Sequence, residues 1–260
     1  MSSARGSGAP AAAGGLSEVR GFVADTISFS SVDGPGNRFV VFLQGCNFDC
    51  VACHNPQTIP GHRPLEGFDP RHVTVGDVLE RIRRAAPFIR GITVSGGEAT
   101  QQPRFVRALF EAVGADPDLA HLTRLVDSNG AADRSVWDTL APVMEGAMID
   151  LKCLDPVLHQ QMTGHPNDTV LASIVHLRQL GLLVEVRLLL VAGVNDDPDL
   201  LRRTAEWLAA VDPAMRLVII GFRGHGVRPH DPPLVEPSRR ALAAAAEVMC
   251  RVAPFDAVVV

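Results

Sequence analysis

The chain has 260 residues, 47% of them hydrophobic, with 24 basic against 29 acidic side chains and a formal net charge of −5. That is enough apolar chain for one α/β domain with a full core, and its acidity excludes the basic footprint that neutralises nucleic acid or an anionic membrane. No apolar run approaches the roughly 18 residues of a membrane span; the strongest, 184–194, carries Glu185 and Arg187.

In chain order, residues 1–15 are rich in Ala, Gly and Ser and lack the apolar stretch of a signal peptide, so 1–18 read as a disordered N-terminal tail and 19–260 as a single folded domain. The expected location is the cytoplasm, where thiols stay reduced. Residues 39–44 (FVVFLQ) form a short apolar run ending at Gly45-Cys46, a buried strand that delivers a cysteine loop at its C-terminal end. Residues 75–85 place Val75, Val78, Leu79 and Ile82 on one helical face behind Thr74 as N-cap. Further strands are predicted at 91–95, 122–127, 147–151, 183–191 and 217–222, with helices at 104–113, 135–140, 170–180, 199–210 and 237–252 and one more short strand at 257–260.

Strands separated by helices of this length imply parallel neighbours and right-handed crossovers. The predicted fold is therefore α/β, an incomplete (β/α)6-type parallel barrel, whose chemistry sits at the C-terminal strand ends. The distinctive residues fall there: Cys46 after the first strand, Gly96-Gly97-Glu98 after the second, Asp127-Ser128-Asn129-Gly130 after the third and Asp150-Leu151-Lys152 after the fourth. Arg187 lies within the fifth strand, and Phe222-Arg223-Gly224-His225-Gly226 follow the sixth.

Cys46-x3-Cys50-x2-Cys53 holds three of the five cysteines. At about 3.3 Å of reach per residue, such a loop closes three sulfurs round one small inorganic centre and supplies no fourth. Iron–sulfur cubes are normally held by four cysteinates. The deficit leaves one iron open, and the ligand read there is S-adenosylmethionine (SAM). The competing reading is a closed zinc site of Cys46, Cys50, Cys53 and His54, against which adjacent ligands chelate awkwardly and zinc loops usually repeat a C-x2-C pair. A disulfide framework does not suit an odd count with Cys153 and Cys250 isolated.

Around that loop, Gly96-Gly97 let the backbone approach a ligand or simply turn. Asp127 and Asp150 end consecutive strands and repel unless a cation or proton lies between them; alternatively Asp127 caps a turn and Asp150 pairs with Lys152. Lys152 is the single lysine among the 24 basic residues. A compact ammonium suits a carboxylate or ribose oxygen where a planar guanidinium does not. Arg187 on an inward face needs a partner: a SAM carboxylate, Glu98, or a salt bridge around Glu185.

With these residues the chain resembles the radical SAM superfamily, and more narrowly its glycyl-radical-enzyme activases, the group containing the pyruvate formate-lyase activating enzyme. The narrower resemblance rests on Val32-Asp-Gly-Pro-Gly-Asn-Arg38, Phe42-Leu-Gln-Gly-Cys46, Cys53-His-Asn-Pro56, Asp127-Ser-Asn-Gly130 and Asp150-Leu-Lys152. Gly91–Thr100, Leu125–Gly130 and His159–Gly164 are most similar to the YjjW type. The resemblance implies one [4Fe–4S] cluster on Cys46, Cys50 and Cys53, and SAM contacts at Ala52, His54, Gly96, Gly97, Glu98, Asp127, Ser128, Asp150, Lys152 and Arg187. It also implies a monovalent-cation site at Asp127, Ser128, Met148 and Asp150. The implied reaction is reductive cleavage of SAM, with hydrogen abstraction from a glycine of a partner glycyl radical enzyme and electrons from flavodoxin or ferredoxin. The alternatives are a radical SAM enzyme for a small molecule or peptide and a non-catalytic metal-binding scaffold. Three departures stand out: Ala52 replaces the aromatic residue usual before the third cysteine, leaving the adenine to backbone or Phe48; Arg223 replaces a histidine; and no cysteine between Cys53 and Thr74 provides for further clusters.

Overall fold

The structure, a computed structural model, describes residues 13–60 and 71–260. In chain order the elements are α1 (Ala13–Ser17), β1 (Arg20–Ser30), β2 (Arg38–Leu43), β3 (Arg71–Thr74), α2 (Val75–Ala85), β4 (Gly91–Gly96), α3 (Pro103–Ala115), β5 (Thr123–Ser128), α4 (Arg134–Leu140), β6 (Gly146–Asp150), α5 (Pro156–Thr163), α6 (Asp168–Gln179), β7 (Leu183–Leu190), α7 (Pro198–Val211), β8 (Arg216–Gly221), α8 (Arg239–Cys250) and β9 (Asp256–Val259). The strands form one sheet in the order β3-β1-β2-β4-β5-β6-β7-β8-β9. Every pairing from β2 to β9 is parallel, and β1 is antiparallel to both its neighbours. No pairing joins β3 to β9 among the described residues, so the curved sheet is open, as the incomplete barrel requires.

The six predicted parallel strands are present, and the short seventh, β9, pairs with β8. Side chains alternate along them as period-two geometry demands. Phe39, Val41 and Leu43 of β2, Ile92 and Val94 of β4, Ala147 and Ile149 of β6, and Val186, Leu188 and Leu190 of β7 pack in the main core with the helices. The intervening residues face the concave side: Phe42, Ser95, Asp127, Asp150, Leu189 and Ile220 all line the central cavity. The predicted Thr74 cap is a capping box, with Thr74 accepting from Asp77 N and the Asp77 side chain accepting from Thr74 N.

Besides α1, three elements were not predicted. Strand β1 is largely exposed, with only Gly21 and Val23 buried, and its apolar residues Phe22, Val23, Ile27 and Phe29 do not keep a strict alternation. Strand β3 is four residues long and is defined by its pairing with β1. Helix α5 has weak amphipathy but a local signal: Asp155 caps Val157 N and Leu158 N with Pro156 at the first position. The expected tail over 1–18 is corrected at its end. Residues 1–12 lie outside the described residues, but Ala13–Ser17 form a helical turn, Leu16 packs on the core, and Val19 O accepts from Val75 N at 2.9 Å. The apolar Leu16 and Val19 supply the anchoring that an Ala/Gly/Ser stretch lacks.

The far end of the concave side is closed by Arg38, which is fully buried. Its guanidinium donates to Thr93 Oγ1 at 2.6 Å, Pro35 O at 3.2 Å, and Thr123 Oγ1 and O at 3.0 and 3.1 Å. Burial among neutral acceptors lowers its pKa to about 10. Arg38 thereby ties the 31–37 turn to β4 and β5, and Thr93 Oγ1 in turn donates to Asp33 O at 2.7 Å. Replacing Arg38 by Leu strands these carbonyls without donors and is expected to cost about 3 kcal/mol. The measurement is a lower urea midpoint at unchanged m-value.

Candidate active site

One cavity of about 310 Å³ opens at the C-terminal strand ends, lined by Cys46, Cys50, Cys53, Ala52, His54, Gly96, Gly97, Glu98, Asp127, Ser128, Asp150 and Lys152. These residues come from four strand ends and are gathered only by the curvature of the sheet. Of the residues named from the sequence, Arg187 stands outside this lining, as does Met148.

The cysteine loop is held by backbone bonds on both flanks. Gly45 N donates to Thr58 O at 2.8 Å, Cys46 N to Ile59 O at 3.1 Å, Asp49 N to Thr163 O at 2.9 Å and Val51 N to Met162 O at 2.9 Å. Phe48 is buried within it, lines the cavity and stacks on His165 with ring centroids 5.3 Å apart. Burial pushes the Cys46 thiol up to about 12, with the Glu98 charge adding to the shift, and pushes Cys50 up to about 11 against the opposing pull of Lys152. Such thiols ionise only when a bound cation stabilises the thiolate.

Gly96 and Gly97 are required by the protein itself. Gly96 has φ +127°, and a Cβ there would lie 2.1 Å from Leu43 N; one on Gly97 would lie 2.3 Å from Gly45 O. Gly97 N donates to Leu43 O and Glu98 N to Gly45 O, both at 2.8 Å. Close approach of two backbones is by itself enough to require glycine at both positions. Glu98 is buried, and all its bonds are internal: Oε1 accepts from Thr100 N at 2.8 Å, Thr100 Oγ1 at 2.6 Å and Ser128 Oγ at 2.8 Å, and Oε2 accepts from Asn129 N at 2.7 Å. Burial raises its pKa, and those four donors oppose the rise. The partner proposed for Arg187 at Glu98 is thus already engaged elsewhere.

Arg187 instead sits one layer behind the cavity wall. Its Nε donates to Glu185 Oε1 at 2.6 Å and its Nη1 to Asp127 Oδ1 at 3.1 Å, while Ser95 Oγ donates to Asp127 Oδ2 at 2.8 Å. Lys152 Nζ donates to Asp150 Oδ2 at 2.6 Å, the pairing that the sequence left open, and both still line the cavity. Each carboxylate therefore has its own cation. Burial nevertheless pushes Asp127 up to about 6, with Arg187 pulling it down and Asp150 pushing it further up.

Sequence reasoning assigned no role to Asp33, Ser95 or Asn129 on the lining, although Asn129 lies in the strand-end group read from the sequence. Asp33 lies in the 32–38 motif, so its signal was present without a place to put it. Asn129 joins the two sides, donating from Nδ2 to Asn47 Oδ1 at 2.8 Å.

The donor set fits an iron–sulfur cluster better than a zinc ion. A closed zinc site would need His54 as the fourth ligand beside the three thiols. The His54 ring packs on Phe222 at 6.2 Å instead. Three thiols lining one open cavity suit a multinuclear centre with one position free.

The Radical SAM superfamily profile matches residues 40–205, more than half of the chain. The chain belongs to that superfamily. Its relatives include the pyruvate formate-lyase-activating enzyme of Streptococcus mutans, 37% identical over 218 residues that cover 80% of each chain. The pyruvate formate-lyase 1-activating enzyme of Escherichia coli K12 is 34% identical over 186 residues, covering 69% of this chain and 72% of that one. Within the superfamily the chain is accordingly a glycyl-radical-enzyme activase. A radical SAM methyltransferase from Sphaerobacter thermophilus shares the fold with TM-score 0.63 at 19% identity, over 86% of this chain and 66% of that one. QueE from Escherichia coli does so with TM-score 0.56 at 12% identity, over 93% and 94%.

Two outcomes test this geometry. Gly97→Ala is expected to push the Cys46 end of the loop off the β4 turn and to lower the iron bound per chain several-fold, measured after anaerobic reconstitution. For Asp127, the folded chain keeps its proton up to about pH 6, whereas the unfolded chain releases it near about pH 4. Its contribution to stability is therefore present below about pH 4 and lost as pH rises through about 6. Asp127→Asn is expected to flatten that fall, gaining about 2 kcal/mol on the parent between roughly pH 4 and 7 in urea titrations of the cluster-free chain.

Proposed function

We propose that Cys46, Cys50 and Cys53 hold one [4Fe–4S] cluster and that SAM occupies the adjoining cavity, so that this activase generates the radical which oxidises a glycine of its partner enzyme. When bound, the cluster supplies the electron that cleaves SAM to methionine and a 5′-deoxyadenosyl radical, which takes a hydrogen atom from the glycine Cα. The observation that carries this reading is the convergence of the three thiols, the Gly96-Gly97 turn and the Asp150–Lys152 pair on one cavity.

Backbone acceptors at Gly96-Gly97 suit the SAM ammonium, and the Lys152 ammonium suits its carboxylate. Ala52 and His54 border the adenosine side together with Phe48, which offers the aromatic surface missing at Ala52. Glu98 and Arg187 act indirectly: Glu98 holds Ser128 and Asn129 in place, and Arg187 holds Asp127. A monovalent cation between Asp127, Ser128 and Asp150, with Met148 beside them, is supported by the raised pKa of Asp127, where burial and, after it, the neighbouring Asp150 charge disfavour the carboxylate that a cation would stabilise. The open edge of the sheet suits entry of a partner's glycine loop. The electron donor is a reduced flavodoxin or ferredoxin and the setting is cytoplasmic. Among the described residues no helix is long and apolar enough to cross a membrane.

Anaerobic incubation of the reconstituted chain with SAM, dithionite and a glycyl radical enzyme is expected to yield 5′-deoxyadenosine and an organic radical signal in electron paramagnetic resonance. Four irons per chain with neither product would sink the proposal. Lys152→Met is expected to raise the SAM Kd at least tenfold, about 1.4 kcal/mol. Lys152→Arg is expected to restore little, because the fork does not replace a point charge.

A further inference from the structure

The connection from β8 to α8 lies outside the family's cysteine motif, yet it grips the cysteine loop. Arg228 Nη2 donates to Asp49 Oδ1 at 2.6 Å and to the Cys50 carbonyl at 3.1 Å. Two residues earlier Gly226, at φ +78°, brings its backbone so close that a Cβ would lie 2.8 Å from His54 O. Val227 packs against the small apolar cluster that contains Ala52, Met162 and Phe222. The far end of the strap is pinned where Glu236 accepts from Gly224 N at 2.9 Å and from Arg223 Nη1 at 3.2 Å, and where Val235 bridges Ala192. Among the described residues, Arg228 is the one charged side chain that donates to the backbone of a cavity cysteine.

We propose that Arg228, with Asp49 as its counter-charge, is a positioning residue that fixes the Cys50–Cys53 turn and tunes the reduction potential of the cluster. This rests on the cluster reading above. Reduction adds one electron, hence one negative charge, to the cluster and its three thiolates. A guanidinium on the Cys50 carbonyl favours the reduced form, and the Asp49 carboxylate disfavours it. Both side chains reach solvent, with relative exposures of 44% and 65%, so water and salt hold the effect to several-fold rather than orders of magnitude.

The test is an anaerobic redox titration of the reconstituted full chain, with dithionite as electron source, mediators for equilibration and paramagnetic resonance as readout. Arg228→Gln is expected to lower the reduced-to-oxidised ratio at the wild-type midpoint by about three- to tenfold, tenfold being 59 mV for a one-electron couple. Asp49→Asn is expected to raise that ratio, and Arg228→Lys to recover most of the loss. A clamp with no electrostatic role moves both neutral variants the same way or not at all, and that result overturns the proposal. Should Arg228→Gln fail to retain its cluster, Asp49→Asn decides: an unchanged or lowered midpoint overturns it equally. In the cluster-free chain, Arg228→Gln is expected to speed amide hydrogen exchange over residues 49–54, and unchanged exchange there refutes the positioning role. Failure of the wild type to take up four irons defeats the cluster reading itself and is seen before any variant is made.

Discussion

The mouth of this barrel depends on how the end of β4 is stitched to its neighbours on either side. On one side the amides of Gly97 and Glu98 bond the Leu43 and Gly45 carbonyls, which sets the height of Cys46. On the other, the Glu98 carboxylate receives Ser128 Oγ and the Asn129 amide, which sets the end of β5. A buried carboxylate is costly unless it is hydrogen-bonded, and Glu98 accepts four bonds, three on Oε1 and one on Oε2. The interaction needs two residues without side chains, because a Cβ at 96 would occupy the space of the Leu43 backbone and one at 97 that of Gly45 and Thr58. Three strand ends thus become one rigid frame, and the thiols and carboxylates inherit their spacing from it.

Charge inside the concave face is layered. At the far end Arg38 is satisfied by neutral oxygens. In the middle, Arg187 spans Glu185 and Asp127, while Glu185 also meets Arg216 at 3.3 Å and Arg216 meets Asp256 at 2.8 Å, a ladder running from β5 to β9. At the mouth, Lys152 meets Asp150. The ladder leaves the mouth with compensated carboxylates and with thiols whose charge depends on what they bind. That division suits a site that must hold a cationic sulfonium and an anionic cluster side by side without trapping either through an unpaired charge.

Much of this arrangement was legible in the amino-acid order. Parallel strands buried on both faces read as apolar runs, which is why β2, β4, β5, β6, β7 and β8 were found, whereas β1 is mostly exposed and β3 is four residues long, and neither forms such a run. Strand-end placement located Cys46, Gly97, Asp127 and Asp150 on one rim because it follows from chain direction alone. Arg187 shows the limit: alternation put it on the inward face, but only the tertiary structure shows that its guanidinium bonds Asp127 and Glu185.

By itself, then, the sequence determined the fold class, the order of the strand ends and the three-thiol loop, since each rests on local periodicity or spacing. Tertiary structure alone decided why Gly96 and Gly97 must be glycine, where Glu98 spends its bonds, and that Arg228, 178 residues away, reaches the Cys50 carbonyl. Contacts of that kind depend on the curvature of the sheet and the path of long connections, and no window of neighbouring residues encodes either.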